Sequence, residues 1–268
     1  MKKNYFFSHI FEDLFMKKYL FSIAIIFGLL VFASCSDDSS TDPNVLDGNT
    51  DLEATEVGSE FGIYLEMEGD TKGVLSQVED SVVVTKRENG ITTLSCKFVF
   101  DEAILTEVDT LLGIEVLPEP TRREIVDHFL KRFDAKLDSS DKKNMTVTTE
   151  IKVKATDKGI QDFVYSKGNT NKPFTLVKYG DGVGTKYSFR TDDGLEYTRE
   201  IVSKSTEDEY PLGFFYIKVT KVEETQPDDP LLKKVSYYTN HKFGLVGIEI
   251  ETLNGKKAKI DILPWAIL

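Results

Sequence analysis

Residues 81–100 read SVVVTKRENGITTLSCKFVF, and their pattern decides what kind of fold follows. Two extended runs, 81–87 and 91–100, flank Asn89-Gly90, a pair that tolerates positive φ and so suits a two-residue hairpin turn. Strands joined this tightly have to run antiparallel. In the second run the sulfur of Cys96 shares a face with Leu94, Phe98 and Phe100, which predicts a buried, inert thiol rather than a nucleophile.

The same device recurs toward the C-terminus. Asp193-Gly194 separates residues 185–191 from 195–203, and Asn254-Gly255 separates 245–253 from 256–263. Toward the N-terminus Phe61, Ile63, Leu65 and Met67 alternate with Gly62, Tyr64, Glu66 and Glu68, the pattern of a strand with one face buried. Met145, Val147, Thr149, Ile151, Val153 and Ala155 repeat it, with Glu150, Lys152 and Lys154 toward water. Residues 174–179, 214–222 and 233–238 add further strands, for ten or more in all. One helix interrupts them. Pro118 and Pro120 stop the preceding run, Thr121 and Glu124 form a capping box, and Ile125, Val126, Phe129, Leu130, Phe133 and Leu137 follow at helical spacing. The apolar stripe needs a partner surface, and the concave face of a sheet supplies one. The expected fold is therefore mainly β with one helix: a curved antiparallel meander sheet, or open half-barrel, wrapped on that helix. A β-sandwich or closed barrel is the alternative.

The 268-residue chain divides into three parts. Lys17 and Lys18 precede an apolar run from Tyr19 to Phe32, closed by Ala33, Ser34 and Cys35, in the order of a bacterial export signal. That run is shorter than the ~18 to 20 residues a spanning helix needs. Residues 1–34 thus read as a signal peptide, and because acids are unusual in such leaders, Glu12 and Asp13 make Met16 the expected start. Residues 36–58 are polar, acidic and nearly free of aromatics, too poor in apolar surface to fold, so 35–58 read as an anchor residue and flexible tether. Residues 59–268 form a single β-rich domain. The leader holds four lysines and two acids, which leaves 29 basic and 43 acidic residues and a net charge of −14 on the rest. Such a field repels nucleic acid.

Phe32-Ala33-Ser34-Cys35 resembles the lipobox of bacterial lipoproteins, with Phe32 where leucine is usual, and Ser36-Asp37-Asp38 is similar to the tether of surface lipoproteins of Bacteroidota-type bacteria. The resemblance implies lipidation at Cys35, cleavage before it, and a place on the outer membrane facing the exterior, or its periplasmic face. Two or more acyl chains, at ~0.8 kcal/mol per buried CH₂, hold a protein durably where one does so only marginally. With Cys35 lipidated, Cys96 has no partner for an intrachain disulfide. Residues 237–249 resemble the terminal hairpin of secreted half-barrel β-proteins of the lipoprotein-carrier or TapB-like kind. That resemblance implies a hydrophobic concave face able to hold an acyl chain or the helix, and it assigns no catalytic residue.

Signatures of chemistry are sparse. Gly180-Asp181-Gly182-Val183-Gly184 would need a following helix to hold a phosphate, and residues 185–191 alternate like a strand, so a hairpin turn is expected. Asp192-Asp193-Gly194 lacks the further oxygen ligands of a calcium loop. His128 and His241 stand far apart, with no zinc spacing and no serine-nucleophile elbow. No cofactor, metal or catalytic residue is therefore expected. Two carboxylates across a cleft would suffice for a glycosidase, and the sequence does not single out a pair. The aromatics Tyr187, Tyr197, Tyr237, Tyr238 and Trp265 are candidate ligand-binding residues, with Phe214, Phe215 and Tyr216 beside them, since a flat apolar body with a polar tip stacks on sugars or on a partner. The expected function is a non-enzymatic, lipid-anchored binding or structural module of the envelope, meeting an envelope protein, a glycan or an apolar ligand. A carrier of an apolar molecule and a polysaccharide-active enzyme are the alternatives.

Overall fold

The structure is a computed structural model, and it describes residues 46–67, 81–100, 118, 130–131, 133–138, 140–141, 145–192, 194–227, 229 and 232–264. The opening hairpin forms as the sequence requires. Strands β2 (Ser81–Glu88) and β3 (Ile91–Phe100) join through Asn89 at φ 52° and Gly90 at φ 72°, the paired left-handed geometry that matches strand twist. Before them runs β1 (Glu60–Met67); after them come β4 (Lys136–Asp138), β5 (Met145–Thr156), β6 (Gly159–Asp162) and β7 (Phe174–Lys178). The second half holds β8 (Lys186–Arg190), β9 (Glu196–Lys204), β10 (Tyr210–Leu212), β11 (Phe215–Ile217), β12 (Thr220–Thr225), β13 (Leu232–Asn240), β14 (Gly244–Thr252) and β15 (Lys257–Pro264).

Thirteen strands form one antiparallel sheet in the order β7-β6-β5-β3-β2-β1-β15-β14-β13-β12-β9-β8, with β4 on the edge of β5. Each half of the chain is a meander. The halves join where β1 pairs with β15, from Phe61↔Pro264 to Met67↔Ala258. The sheet's two outer strands, β7 and β8, lie in mid-chain and bend round to meet: the Phe174 and Phe189 rings are 4.5 Å apart, and the Lys178 N–H donates to the Tyr187 hydroxyl at 3.1 Å. The result is a nearly closed barrel, the alternative the sequence left open, with a seam between β7 and β8.

The inward faces of both halves share one core. Leu94, Cys96, Phe98, Val147, Val153 and Ile160 from the first half, and Ile201, Val222, Ile248, Ile260 and Ile262 from the second, are buried in a single cluster. At ~1.5–3 kcal/mol per fully buried large side chain, this interior is the main stabilising term. Gly159 serves close packing between β6 and β7: a Cβ there would stand 2.2 Å from the Val177 carbonyl oxygen.

Several expectations change. The predicted helix over 121–137 falls mostly outside the described residues; Leu130 and Lys131 are helical, but Leu137 is a strand residue in β4, opposite Val147. A sheet wrapped on that helix is thus not part of the described architecture. Residues 180–184 do join two strands with no helix after them, yet β7 and β8 share no ladder, so the segment bridges the seam rather than turning a hairpin. The run 214–222 is broken rather than continuous. Gly213 at φ 60° turns β10 back into β11, and that pair stands off the barrel as a separate two-stranded sheet before β12 rejoins it.

Strand directions define two ends. At the upper end lie the 89–90, 157–158 and 241–243 turns and the 179–185 loop. At the lower end lie the 163–173 loop and the 191–195 and 253–256 turns.

Candidate functional site

Inside the barrel, just behind the seam, sits a charged cluster that no sequence pattern marked. Arg199 on β9 is only 2 % exposed, and its guanidinium lies between Asp162 of β6, at 2.6 Å from Nη1 to Oδ2, and Glu224 of β12, at 2.7 Å from Nε to Oε2. Nη1 also donates to the Phe174 carbonyl of β7, and the Tyr165 hydroxyl donates to Glu224. Rings of Tyr165, Phe189 and Tyr237 stand 4.9–5.8 Å from the guanidinium carbon. One cation thus serves two carboxylates. Burial raises the Asp162 carboxyl above the ordinary aspartate range, against the pull of Arg199, while the two acids hold Arg199 firmly charged despite its burial. Asp162 and Glu224 are both buried within the wall.

A groove of about 500 Å³ opens on the outer side, from the β2–β3 turn to the 163–173 loop. Phe174 and Phe189 wall it at the seam; Asn89, Asn171 and Lys154 offer polar groups along it. Lys154 is half-buried, and burial lowers its amine below the usual lysine range, with Asp47 opposing the shift.

The structure scatters the aromatic candidates. Tyr197 and Tyr237 point into the barrel and are buried, Tyr197 against Phe189 and Tyr165, Tyr237 within the main core. Tyr187 spans the seam loop, its hydroxyl donating to Asp181 at 2.7 Å; burial first, and then Asp181, push its phenol up. Tyr238 lies on the outer face against Tyr210, its phenol likewise raised by burial and by Glu249. Trp265 and Cys35 lie outside the described residues. No single surface joins these residues. Exposed aromatics stand instead on the β10–β11 hairpin, where Phe214 is 91 % and Tyr216 63 % exposed. The hairpin is pinned by Tyr210, whose hydroxyl donates to Asp261 at 2.7 Å and fills the place a Cβ on Gly247 would take. The alternation of β13 to β15 could not reveal this, because the hairpin is an excursion from the meander.

Cys96 is fully buried, and desolvation drives its thiol far above the ordinary value, so the thiolate that alkylation needs is absent. In the Cys35→Ala chain we expect no reaction with a maleimide on folded protein over hours and full reaction in denaturant; modification of Cys96 under native conditions would contradict the burial.

No family model matches the chain, and no curated protein matches it. Two solved structures are similar. A chain from Bacteroides fragilis NCTC 9343, provisionally described as an exported protein with a YmcC-like fold, matches with a TM-score of 0.39 and 7 % identity over 78 % of this chain and 95 % of its own. A chain from Parabacteroides distasonis ATCC 8503, provisionally described as a lipoprotein, matches with a TM-score of 0.35 and 9 % identity over 78 % and 94 %. Neither likeness, at such identity and score, bears on activity.

Proposed function

We propose that the chain is a lipid-anchored protein of a bacterial outer membrane, held by Cys35 and facing the exterior, that works by binding a glycan in the side groove and not by catalysis. The observation that carries the reading is the groove itself: aromatic walls at Phe174 and Phe189 suit the C–H faces of a sugar ring, and Asn89, Asn171 and Lys154 supply donors and acceptors for hydroxyls. Two further points support it. Among the described residues the inward faces of both halves pack into one core, and the buried acids are taken up by Arg199. The leader and tether supply the anchor argument.

Two measurements test this. Palmitate labelling of the expressed protein is expected to vanish in Cys35→Ala; equal labelling would defeat the anchor. On a glycan array, a hit is expected to weaken at least tenfold in Lys154→Ala, without any cleavage product; hydrolysis of the bound glycan, or binding untouched by the substitution, would overturn the site.

A further inference from the structure

Large apolar side chains left in water are unevenly placed among the described residues. Among the described residues five stand out, Val57, Val183, Phe214, Tyr216 and Leu253, each at least 60 % exposed. Four of the five belong to the upper end. Val57 precedes β1, beside Gly58, whose N–H donates to the Val84 carbonyl; Val183 lies in the 179–185 loop; Phe214 and Tyr216 lie on the hairpin that leaves β9 and rejoins β12 at that end. The hairpin's tip leans on the β13–β14 turn, with the Phe215 and Phe243 rings 5.9 Å apart. Only Leu253 is at the lower end.

The chain also enters the barrel at the upper end. The Asn49 N–H donates to Asp157 at 2.9 Å, and the Thr156 hydroxyl donates to the Asp47 carbonyl at 2.7 Å, which fixes residues 47–49 on the β5–β6 turn. Eleven residue-to-residue steps lead from Cys35 to Leu46. At ~3.3–3.6 Å per residue they reach at most about 40 Å, so an anchored barrel is held with this end toward the bilayer.

We propose that the upper end is a membrane-contact face, with the Phe214-Phe215-Tyr216 hairpin as the element that enters the headgroup region. This rests on the lipid anchor proposed above. The chemistry fits a lipid surface: aromatic side chains partition to the interface, and Lys218 and Lys242, both exposed beside the hairpin, can lay their stems on the apolar layer and keep the ammonium in the headgroups. The apolar residues stand at separate points round one rim, which suits a flat layer better than a protein pocket. Glu207, Asp208 and Glu209 at the hairpin's root repel anionic lipid, so the contact is with zwitterionic headgroups and varies little with salt.

The test places the single tryptophan at the tip. In the lipidated protein carrying Trp265→Phe, Phe214→Trp is compared with Leu253→Trp on phosphatidylcholine vesicles with brominated acyl chains. Fluorescence at position 214 is expected to fall to half or less, and at position 253 to stay within a tenth of its value in unbrominated vesicles. Protein that floats with the vesicles yet shows no quenching at 214 overturns the proposal and leaves the hairpin to a protein partner. Equal quenching at both positions also overturns it, since contact would then be unoriented. Failure of the anchor reads differently, as absent palmitate label and absent flotation. In that case the Cys35→Ala chain with Phe214→Trp decides: quenching at high lipid keeps the contact, and none at any lipid concentration ends it.

Discussion

Arg199→Met is expected to lower the stability of this barrel by about 3–5 kcal/mol at neutral pH, read from the shift of the urea midpoint. The substitution keeps most of the volume but removes the one cation that Asp162 and Glu224 share, leaving two acids inside a wall where each is almost unexposed. Because Asp162 sits on β6 and Arg199 on β9, the loss falls on the seam, where no ladder hydrogen bonds join β7 to β8. The pH dependence has a fixed sign. Asp162 is raised in the folded state, so the native protein holds a proton that the unfolded chain releases; the associated stability is complete below the ordinary aspartate value and is lost as pH rises through the raised one. Without Arg199 the carboxyl rises further and the pH window widens, so the variant should regain part of its loss as the pH falls toward the ordinary aspartate range. Replacing all three groups together, Arg199→Met with Asp162→Leu and Glu224→Leu, should restore much of the stability, as buried ion pairs exchanged for well-packed apolar groups often do. A wild-type midpoint for Arg199→Met would show that the cluster does not hold the seam.

Phe98→Ala should cost about 3–5 kcal/mol, the range for emptying a large aromatic from a packed core. Its side chain is 1 % exposed in the cluster shared by both halves of the barrel, and its strand neighbour is Val147. Ser95, on the same strand but turned outward and half-buried, is the comparison: Ser95→Ala should stay within about 0.5 kcal/mol. Similar losses at the two positions would mean that the inward and outward faces of β3 have been misassigned.

Much of this architecture was legible because strand alternation is a local signal. Asn89-Gly90 turned where expected, Cys96 is buried with Leu94 and Phe98, and residues 145–155 alternate in burial as they do in type. Closure was not legible. That β7 would bend round to meet β8 depends on the summed twist and bend of all the strands between them, and no residue of either strand carries that information alone. The candidate site was less legible still. Tyr197 and Tyr237 alternate in phase with Ile201 and Val235, so their phase placed them inside, where the ring and not the hydroxyl decides their use. Arg199 shares that inward phase with Tyr197 and Ile201, and Glu224 shares it with Val222, yet neither strand names the partner of its charge. Only the neighbourhood of Asp162, far away in the chain, makes their burial affordable.

The union of first and last strands has a kinetic meaning as well. β1 pairs with β15 at seven register positions, from Phe61↔Pro264 to Met67↔Ala258. A polypeptide emerging from a ribosome N-terminus first would leave β1 waiting for this neighbour until β15 has been delivered. Loop closure over so long a span is slow but adds little free-energy cost per doubling of length, so the delay is one of order and not of feasibility. The finished barrel therefore assembles only once the last strand is available to the first.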